Sequence, residues 1–329
     1  MKNYINIGDF IVTFEKFKGR RMLVLLDKLC NTFQTTKRVE AVWTADQFTE
    51  AVHWGSIPFI GNRINRLITG NQDRSFGDHI VEEYFRAKAP SANALTLGCG
   101  IGYREIHMAK SGCFKRIDAY DLSEDALTEA RIRAARDEVS DVINFERKDL
   151  SDYALPTAHY DFVLVEQSLH HFSPLGPLLD KIKLTLKPDG YFIINEFVGP
   201  DKFQWTDRQI QVINALLTLI PAKYRVRSHD KKLKKRIYRP GLLRMKLYDP
   251  SEAVESSGIV PGVKRRFKIV EERNYGGTIL QLLFQDIAKN FMNDDPETLE
   301  LLELICGVED LLLRTGDLSS DFTYIVCRP

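Results

Sequence analysis

The sequence predicts an α/β fold, a Rossmann-like parallel sheet with helices on both faces. From Asn93 onward, apolar runs of strand length alternate with amphipathic segments of helix length. The first run ends in a glycine-rich turn, and a breaker cluster at residues 187–190, Lys-Pro-Asp-Gly, separates a helix from the fifth run. Alternation of this length indicates βαβ units, whose strands pair in parallel and whose helices cover both faces of the sheet.

Five strands are predicted in order along this central region. They are residues 94–98, 116–122, 142–150, 160–166 and 191–197. Between the second and third strands, residues 123–139 predict an amphipathic helix. Ser123 is a suitable N-cap there, and two acidic residues follow it in the first turn.

The C-terminal part of the chain departs from this alternation. Residues 201–220 predict a helix and 265–275 a strand. Two helical segments, about 278–292 and 296–314, precede a final strand at 321–328. Because this last strand follows a long excursion, we expect a late, hairpin-like pair to close the sheet.

Composition excludes several classes of protein. The 329 residues include 46 Lys and Arg against 45 Asp and Glu, so the net charge of +1 excludes action through overall basicity or acidity. An apolar content of 44% excludes disorder over the whole chain. Without CxxC spacing, the scattered cysteines predict neither a zinc site nor a disulfide framework; they are Cys30, Cys99, Cys113, Cys306 and Cys327.

Targeting signals are not evident in the sequence. Asp9, Glu15 and Lys16 interrupt the apolar stretch at the N-terminus, unlike in a signal peptide. No segment approaches the ~18 apolar residues of a transmembrane helix. We therefore expect a soluble, reduced, cytoplasmic protein.

The glycine-rich turn predicts a ligand-binding loop. Gly98, Gly100 and Gly102 have GxGxG spacing, and they lie between a predicted strand and a helix. Glycine lets the backbone approach a ligand closely, and a helix N-terminus favours anionic or polar groups. The third glycine of a dinucleotide GxGxxG would fall at Tyr103, which disfavours a nicotinamide dehydrogenase. A tight strand–helix turn without a ligand is the alternative.

Two acidic residues follow later strands. Asp121, about 19 residues after Gly102, ends the second strand, where a carboxylate can accept hydrogen bonds from both hydroxyls of a ribose. Asp149 ends the third strand, where a carboxylate can accept from an adenine amino group. The alternatives are an N-cap at Asp121, for which Ser123 is better placed, and an ordinary loop aspartate at Asp149.

In order and spacing, these features resemble the class I S-adenosylmethionine-dependent methyltransferases. The resemblance covers about 93–198 and, more loosely, 199–329. It rests on LGCGIG, the ribose acid, the Asp-Leu pair, YDFVLVEQSLHHF and LKPDGYFIINE. It implies a seven-stranded sheet with an N-terminal helical cover and helical insertions near the C-terminus. Within the family, the chain is most similar to bacterial small-molecule and sugar O-methyltransferases.

The resemblance implies S-adenosylmethionine as the cofactor. The glycine loop would lie against its methionine part, Asp121 would hold the ribose, and Asp149 would hold the adenine amine. Leu122 would contact the adenine face. The cofactor-binding residues predicted in this way are Gly98, Cys99, Gly100, Gly102, Asp121, Leu122, Asp149, Leu150 and Glu166.

One departure concerns the acid that the family usually carries two residues before the first glycine, which helps hold the cofactor's amino group. Here that residue is Thr96.

Two adjacent histidines after the fourth strand are the predicted catalytic residues. A hydroxyl is a poor nucleophile unless a base removes its proton, and imidazole suits this role at neutral pH. His170 and His171 are the candidate bases, and Glu196 after the fifth strand is the candidate partner. The alternative is that one histidine packs under the sheet edge while the other faces solvent. The pair resembles the arrangement in sugar O-methyltransferases of the family.

No metal ion is predicted. A metal-assisted branch of the family uses Glu-x-x-Glu-His, which Glu166 and His170 match, but Leu169 occupies the place of the second acid. With one hard ligand missing, we expect no divalent cation.

These observations divide the chain into four regions. Residues 1–90 are predicted as an N-terminal cover, 91–200 as the cofactor-binding core, 201–264 as a basic lid or substrate region, and 265–329 as the final strands with inserted helices. Within the lid, the basic stretch 223–246 is either a solvated loop or a surface that recruits an anionic acceptor.

The predicted function is methyl transfer to a hydroxyl of a small molecule or glycan, without nucleic acid as a partner. An N- or C-methyltransferase and a non-catalytic binding protein of the same fold remain alternatives.

Overall fold

A seven-stranded mixed sheet forms the centre of the protein. The computed structural model describes Tyr4, Asp9 and residues 52–150, 153–248 and 250–329, so most of the predicted N-terminal cover lies outside the described residues. The sheet has the order β3-β2-β1-β4-β5-β7-β6. Its strands are β1 Ala92–Leu97, β2 Phe114–Asp121, β3 Ile143–Arg147, β4 Tyr160–Glu166, β5 Leu186–Phe197, β6 Lys268–Gly276 and β7 Phe322–Arg328.

The first five strands pair in parallel, and β7 pairs antiparallel with both β5 and β6. This arrangement confirms the predicted Rossmann-like sheet and its late closing pair. The strand order reverses between β1 and β4, and ligands bind in the crevice at such a point in an open α/β sheet.

Helices cover both faces of the sheet. They are α1 Pro58–Thr69, α2 Phe76–Ile80, α3 Tyr103–Lys110, α4 Glu124–Arg136, α5 Leu175–Thr185, α6 Asp207–Leu219, α7 Leu242–Tyr248, α8 Ile259–Arg266, α9 Leu280–Phe284 and α10 Pro296–Arg314. As predicted, Ser123 caps α4, where its hydroxyl accepts from Ala126 N.

The buried apolar residues divide into three clusters. One contains residues of α2, α3 and α4 on one face of the sheet, and a second contains residues of α5 and α8 on the other face. The third cluster joins α6, α9 and α10 beside the sheet. The C-terminal helices therefore have a core of their own, which holds them against the edge where β5, β7 and β6 lie.

Several boundaries differ from the sequence prediction. The predicted third strand, 142–150, ends at Arg147, so Asp149 lies beyond it, and the helix predicted at 201–220 begins only at Asp207. β5 begins at Leu186 and includes the breaker cluster at 187–190, and its pairing with β4 shifts register there. The helix predicted at 278–292 ends early, as α9, because the Lys234 ammonium donates to the carbonyl oxygens of Leu282, Leu283 and Gln285. A cation at a helix C-terminus satisfies carbonyls that have no partner within the helix.

None of the helices in the described part of the chain has the length and apolar character needed to cross a membrane. The cysteines within this part, Cys99, Cys113, Cys306 and Cys327, are free thiols.

Candidate active site

The glycine loop links β1 to α3 at the carboxyl edge of the sheet. Gly98, Gly100 and Gly102 have φ values of +72°, +53° and +77°, a region that L side chains rarely adopt. The amides of Gly98 and Cys99 both donate to Tyr120 O, at 2.7 and 3.3 Å, and thereby hold the loop against β2. The predicted loop therefore depends on three glycines with positive φ, and it lies at the topological switch point of the sheet.

Gly98 is also required by close packing. A Cβ atom there would lie 2.4 Å from Ser168 Cβ, a distance that two non-bonded carbon atoms do not tolerate. Ser168 also donates its hydroxyl hydrogen to Leu97 O at 2.6 Å. Because Ser168 immediately precedes the turn that carries the two histidines, this contact joins the glycine loop directly to the predicted catalytic segment.

Asp121 fixes the glycine loop from β2. Its Oδ2 accepts from Gly100 N at 2.8 Å and its Oδ1 from Ser123 N at 2.9 Å. Burial raises the pKa of this carboxyl, although the backbone hydrogen bonds oppose the shift. Each oxygen has two lone pairs, so the carboxylate keeps acceptor capacity for a ligand.

The second predicted acid has a different environment. Asp149 lies after β3 and is exposed, whereas Leu150 is buried in the cluster beneath the sheet. Leu150 O accepts from Lys181 Nζ at 2.8 Å, which ties this loop to α5. Leu122, the predicted adenine contact, lies directly after Asp121, and its carbonyl accepts from Arg147 Nε at 3.1 Å. The roles of these residues at an adenine ring remain predictions.

Glu166 at the end of β4 forms a bidentate ion pair that the sequence did not reveal. Arg104 of α3 donates to it from Nε at 2.6 Å and from Nη2 at 3.0 Å, and Asn195 Nδ2 donates at 3.1 Å. Burial alone would raise the pKa of Glu166, but Arg104 and Asn195 hold it below its usual value. The next residue, Gln167, has a φ of +51°, and such strained backbone is common at functional sites.

His170 lies between two carboxylates. Its Nδ1 hydrogen-bonds Glu196 Oε1 at 2.5 Å, and its Nε2 lies 3.3 Å from Glu252 Oε1. Burial would lower the pKa of His170, but the two carboxylates outweigh it and raise this pKa to about 10. His170 is therefore a cation at neutral pH, and a protonated imidazole does not accept a proton.

The fully buried Glu196 contacts the backbone of the turn in addition to His170. It accepts from Ser168 N at 2.9 Å, Leu169 N at 2.6 Å and Phe197 N at 2.6 Å. The predicted partnership of Glu196 with the histidine pair thus takes the form of a contact with His170.

Glu196 and Glu252, which hold His170 from both ring nitrogens, form a clamp. His171 lies beside this clamp in a more open position. It is partly buried, its ring centre is 4.2 Å from that of His170, and its Nδ1 is 3.3 Å from Ser251 Oγ. His171 lowers the pKa of both Asp121 and Glu252, so it lies within electrostatic reach of the glycine-loop acid and of the segment after α7.

A group of potential cation ligands occurs in the same place. His170, His171 and Glu252 each offer a donor atom, and these atoms all lie within 4.8 Å of one another. Glu252 follows the histidines by more than 80 residues, so sequence spacing did not include it. The absence of a metal ion from the active protein remains a prediction.

A second buried carboxylate lies behind the glycine loop. Glu105, in the first turn of α3, is 3% exposed, and its Oε2 has no hydrogen-bond partner within the described residues. The buried Thr96 Oγ1 on β1 likewise lacks one there. Glu105 is not among the residues predicted from the sequence, although an acid on an otherwise apolar helix face is a signal that could have indicated it.

Comparison with known proteins assigns the domain. Residues 95–194 match the family model described as a methyltransferase domain. Over 104 residues the chain is 29% identical to the 27-O-demethylrifamycin SV methyltransferase of Amycolatopsis mediterranei. This alignment covers 32% of this chain and 38% of that protein. Over 119 residues it is 25% identical to the mitochondrial ubiquinone biosynthesis O-methyltransferase of Saccharomyces cerevisiae, covering 36% and 37%. The chain thus spans about two fifths of the length of these curated relatives.

Among solved structures, an S-adenosylmethionine-dependent methyltransferase from Mesorhizobium loti aligns with a TM-score of 0.43 at 16% identity. The alignment covers 74% of this chain and 95% of that one.

The sheet and the matched model together define a methyltransferase domain. Residues 95–194 are a methyltransferase domain of the S-adenosylmethionine-dependent type, which confirms the predicted family, fold and cofactor. The residues present fit that cofactor on structural grounds. Three positive-φ glycines place backbone without side chains at the switch point, Asp121 keeps acceptor capacity, and Glu105 Oε2 is a buried acceptor without a hydrogen-bond partner among the described residues.

Proposed function

We propose that this chain transfers a methyl group from S-adenosylmethionine to an oxygen of a small-molecule or glycan acceptor. The observation that carries the proposal is the packing of Ser168 on Gly98. This contact brings the cofactor loop and the histidine turn together, so a methyl donor on one and an acceptor on the other would be adjacent. Positioning of this kind provides a large part of catalysis in a displacement reaction.

Residues at the carboxyl edge would hold the cofactor. The glycine loop and the β4 end would line its methionine part, Asp121 would accept from the ribose hydroxyls, and the segments at Leu122 and Asp149 would flank the adenine. When bound, the cofactor supplies an electrophilic methyl group on a sulfonium with a good leaving group. The protein then has to align the acceptor and take its proton.

His171 is the better candidate for the base. Glu196 and Glu252 contact the two ring nitrogens of His170 and hold it as a cation, whereas the contact at Nδ1 of the partly buried His171 is the uncharged Ser251 hydroxyl. We therefore assign proton removal to His171. His170 and Glu196 position the turn, and the fixed positive charge of His170 lies beside the reacting groups.

The names of the relatives support an oxygen acceptor. Two of them are called O-methyltransferases or act on an O-demethylated compound, whereas another is a demethylmenaquinone methyltransferase from Bacteroides fragilis, 26% identical over 83 residues.

An anionic acceptor has less support than an oxygen acceptor. Several cations of the basic stretch 223–246 have partners within the protein. Lys223 pairs with Glu297, Arg239 with Asp207, and the Lys234 ammonium with three carbonyls. These contacts favour a structural role for the stretch, so the proposal includes neutral acceptors.

The proposal is tested by methyl transfer to candidate acceptors. Purified protein, S-adenosylmethionine and pools of phenolic, polyketide and sugar alcohols are incubated, and products heavier by one methylene are sought by mass spectrometry. We expect an O-methyl product whose formation is lost in His171→Ala. Formation of only C- or N-methyl products would contradict the oxygen assignment.

A further inference from the structure

Glu105 forms no ion pair with the described residues, and it lies beside the glycine loop, where the cofactor is expected to bind. It is the third residue of α3, directly behind the glycine loop, and only 3% of it is exposed. Buried charges in proteins are normally paired, since desolvation of an unpaired carboxylate is costly. Among the described residues Oε2 makes no hydrogen bond of ordinary geometry, and the nearby Thr96 hydroxyl lowers the pKa of Glu105 without supplying a positive charge.

The cation adjacent to Glu105 in sequence is already engaged in another ion pair. Arg104 precedes Glu105 in the chain, but its guanidinium donates to Glu166 through Nε and Nη2. Glu166 in turn raises the pKa of Glu105 by repulsion, and Arg104 only partly offsets it. Burial is the largest influence and, with the rest, raises the pKa of Glu105 to about 7. The site thus favours ionised Glu105 only when another positive charge is present.

Glu105 lies close enough to the glycine loop to affect its residues electrostatically. Its charge raises the pKa of the Cys99 thiol, as does that of Asp121, so both carboxylates lie within electrostatic reach of the loop's second residue. Thr96 on β1 lies on the same face of the sheet as Ala94, which belongs to the cluster that packs against α3. Its hydroxyl therefore lies on the side of β1 that α3 covers, near the Glu105 carboxyl, whose pKa it lowers.

We propose that Glu105 binds the ammonium group of the cofactor's methionine portion. This inference rests on the proposed function and assigns one contact within it. In this chain the acid expected two residues before Gly98 is replaced by Thr96, and the carboxylate comes instead from the first turn of the following helix. The strand position contributes a small hydroxyl and the helix contributes the charge.

Calorimetry with matched ligands tests this assignment. Glu105→Gln keeps the shape of the side chain and removes its charge. We expect it to weaken binding of S-adenosylmethionine and S-adenosylhomocysteine by about 10- to 100-fold, the usual range for a charge-assisted hydrogen bond. Binding of 5′-methylthioadenosine, which lacks the amino-acid part, should be unchanged. Glu303→Gln, an exposed glutamate on α10, is the control and should change neither ligand.

A compensating variant distinguishes loss of a cofactor contact from a change in the structure of the site. Thr96→Asp combined with Glu105→Thr returns the acid to the strand and should restore most of the lost affinity for S-adenosylmethionine. Equal weakening of S-adenosylmethionine and 5′-methylthioadenosine in Glu105→Gln would show a bracing role and overturn the proposal. Unchanged binding of S-adenosylmethionine in this variant would overturn it too, with the proposed function intact. Failure of the unsubstituted protein to bind S-adenosylmethionine would overturn the proposed function itself.

Discussion

Glu196 holds His170 by a 2.5 Å hydrogen bond to Nδ1 while its remaining acceptor sites bind three backbone amides of the same region. One fully buried carboxylate thus fixes both the charge of His170 and the shape of the turn on which His171 lies. With Glu252 at its other nitrogen, His170 remains protonated across the neutral range. The two adjacent histidines therefore differ in chemistry although they are neighbours in sequence.

Substitution of Glu196 tests this clamp. Glu196→Gln removes the counter-charge of His170 and places an amide NH₂ against backbone N–H donors. Because breaking a buried ion pair leaves an uncompensated charge, we expect unfolding free energy to fall by about 3–5 kcal/mol. Urea denaturation measures it. Glu297→Gln, which removes an exposed pair with Lys223, is the control and should have no measurable effect; an equally small effect at Glu196 would contradict the clamp.

Substitution of the two histidines should have different effects, on turnover for His171 and on stability for His170. His171→Ala removes the proposed base, so kcat should fall by about 10²- to 10⁴-fold while the affinity for S-adenosylmethionine is retained. His170→Ala should instead reduce stability, because it leaves Glu196 and Glu252 without their shared cation. Rates and thermal melts of the two variants check this. Normal turnover of His171→Ala on the true acceptor would refute the assignment of the base.

Two glycines with similar backbone angles provide a matched pair. Gly98 and Gly112 have φ values of +72° and +69°, but an added Cβ meets Ser168 at Gly98 and nothing within 4 Å at Gly112. Gly112→Ala should therefore cost only the backbone strain, about 1–2 kcal/mol. Gly98→Ala should cost more and should also weaken cofactor binding, because the loop must move away from Ser168. Denaturation and calorimetry together distinguish the two effects; equal losses of stability would argue against the close packing.

Stability should depend on pH through Glu105. Its pKa is raised from 4.5 to about 7 in the folded protein, so folding is favoured when it is protonated. The ionised form costs stability as the pH rises through this interval, by about 3 kcal/mol at most. Glu105→Gln should therefore be more stable than the unsubstituted protein at pH 8, and the difference should shrink toward pH 5. Denaturation midpoints at several pH values measure this; a difference that is independent of pH would contradict the buried charge.

The central strands and the local signals were predictable because each depends on nearby residues. The run 160–166 coincides with β4, and Ser123 caps α4, since apolar periodicity and capping are local properties. The glycine loop was predictable for the same reason. Its packing partner Ser168 was not, because only the parallel pairing of β1 with β4 brings the two together.

The charged partners of the site depend on contacts distant in sequence. Glu252 reaches His170 from a segment more than 80 residues away, and Arg104 reaches Glu166 across the switch point between β1 and β4. Neither pairing leaves a pattern in the sequence, and so the pKa of His170 could not be anticipated. The early end of α9 has a similar cause, since Lys234 comes from a distant loop.

Titration calorimetry with S-adenosylmethionine, S-adenosylhomocysteine and NAD tests the central claim most directly. Asp121→Ala removes the proposed ribose acceptor, and Asp141→Ala, an exposed aspartate before β3, is its control. We predict micromolar binding of S-adenosylmethionine and S-adenosylhomocysteine that is lost in Asp121→Ala and kept in Asp141→Ala, and no binding of NAD. Binding of NAD, or the absence of binding by both sulfur ligands, would contradict the account.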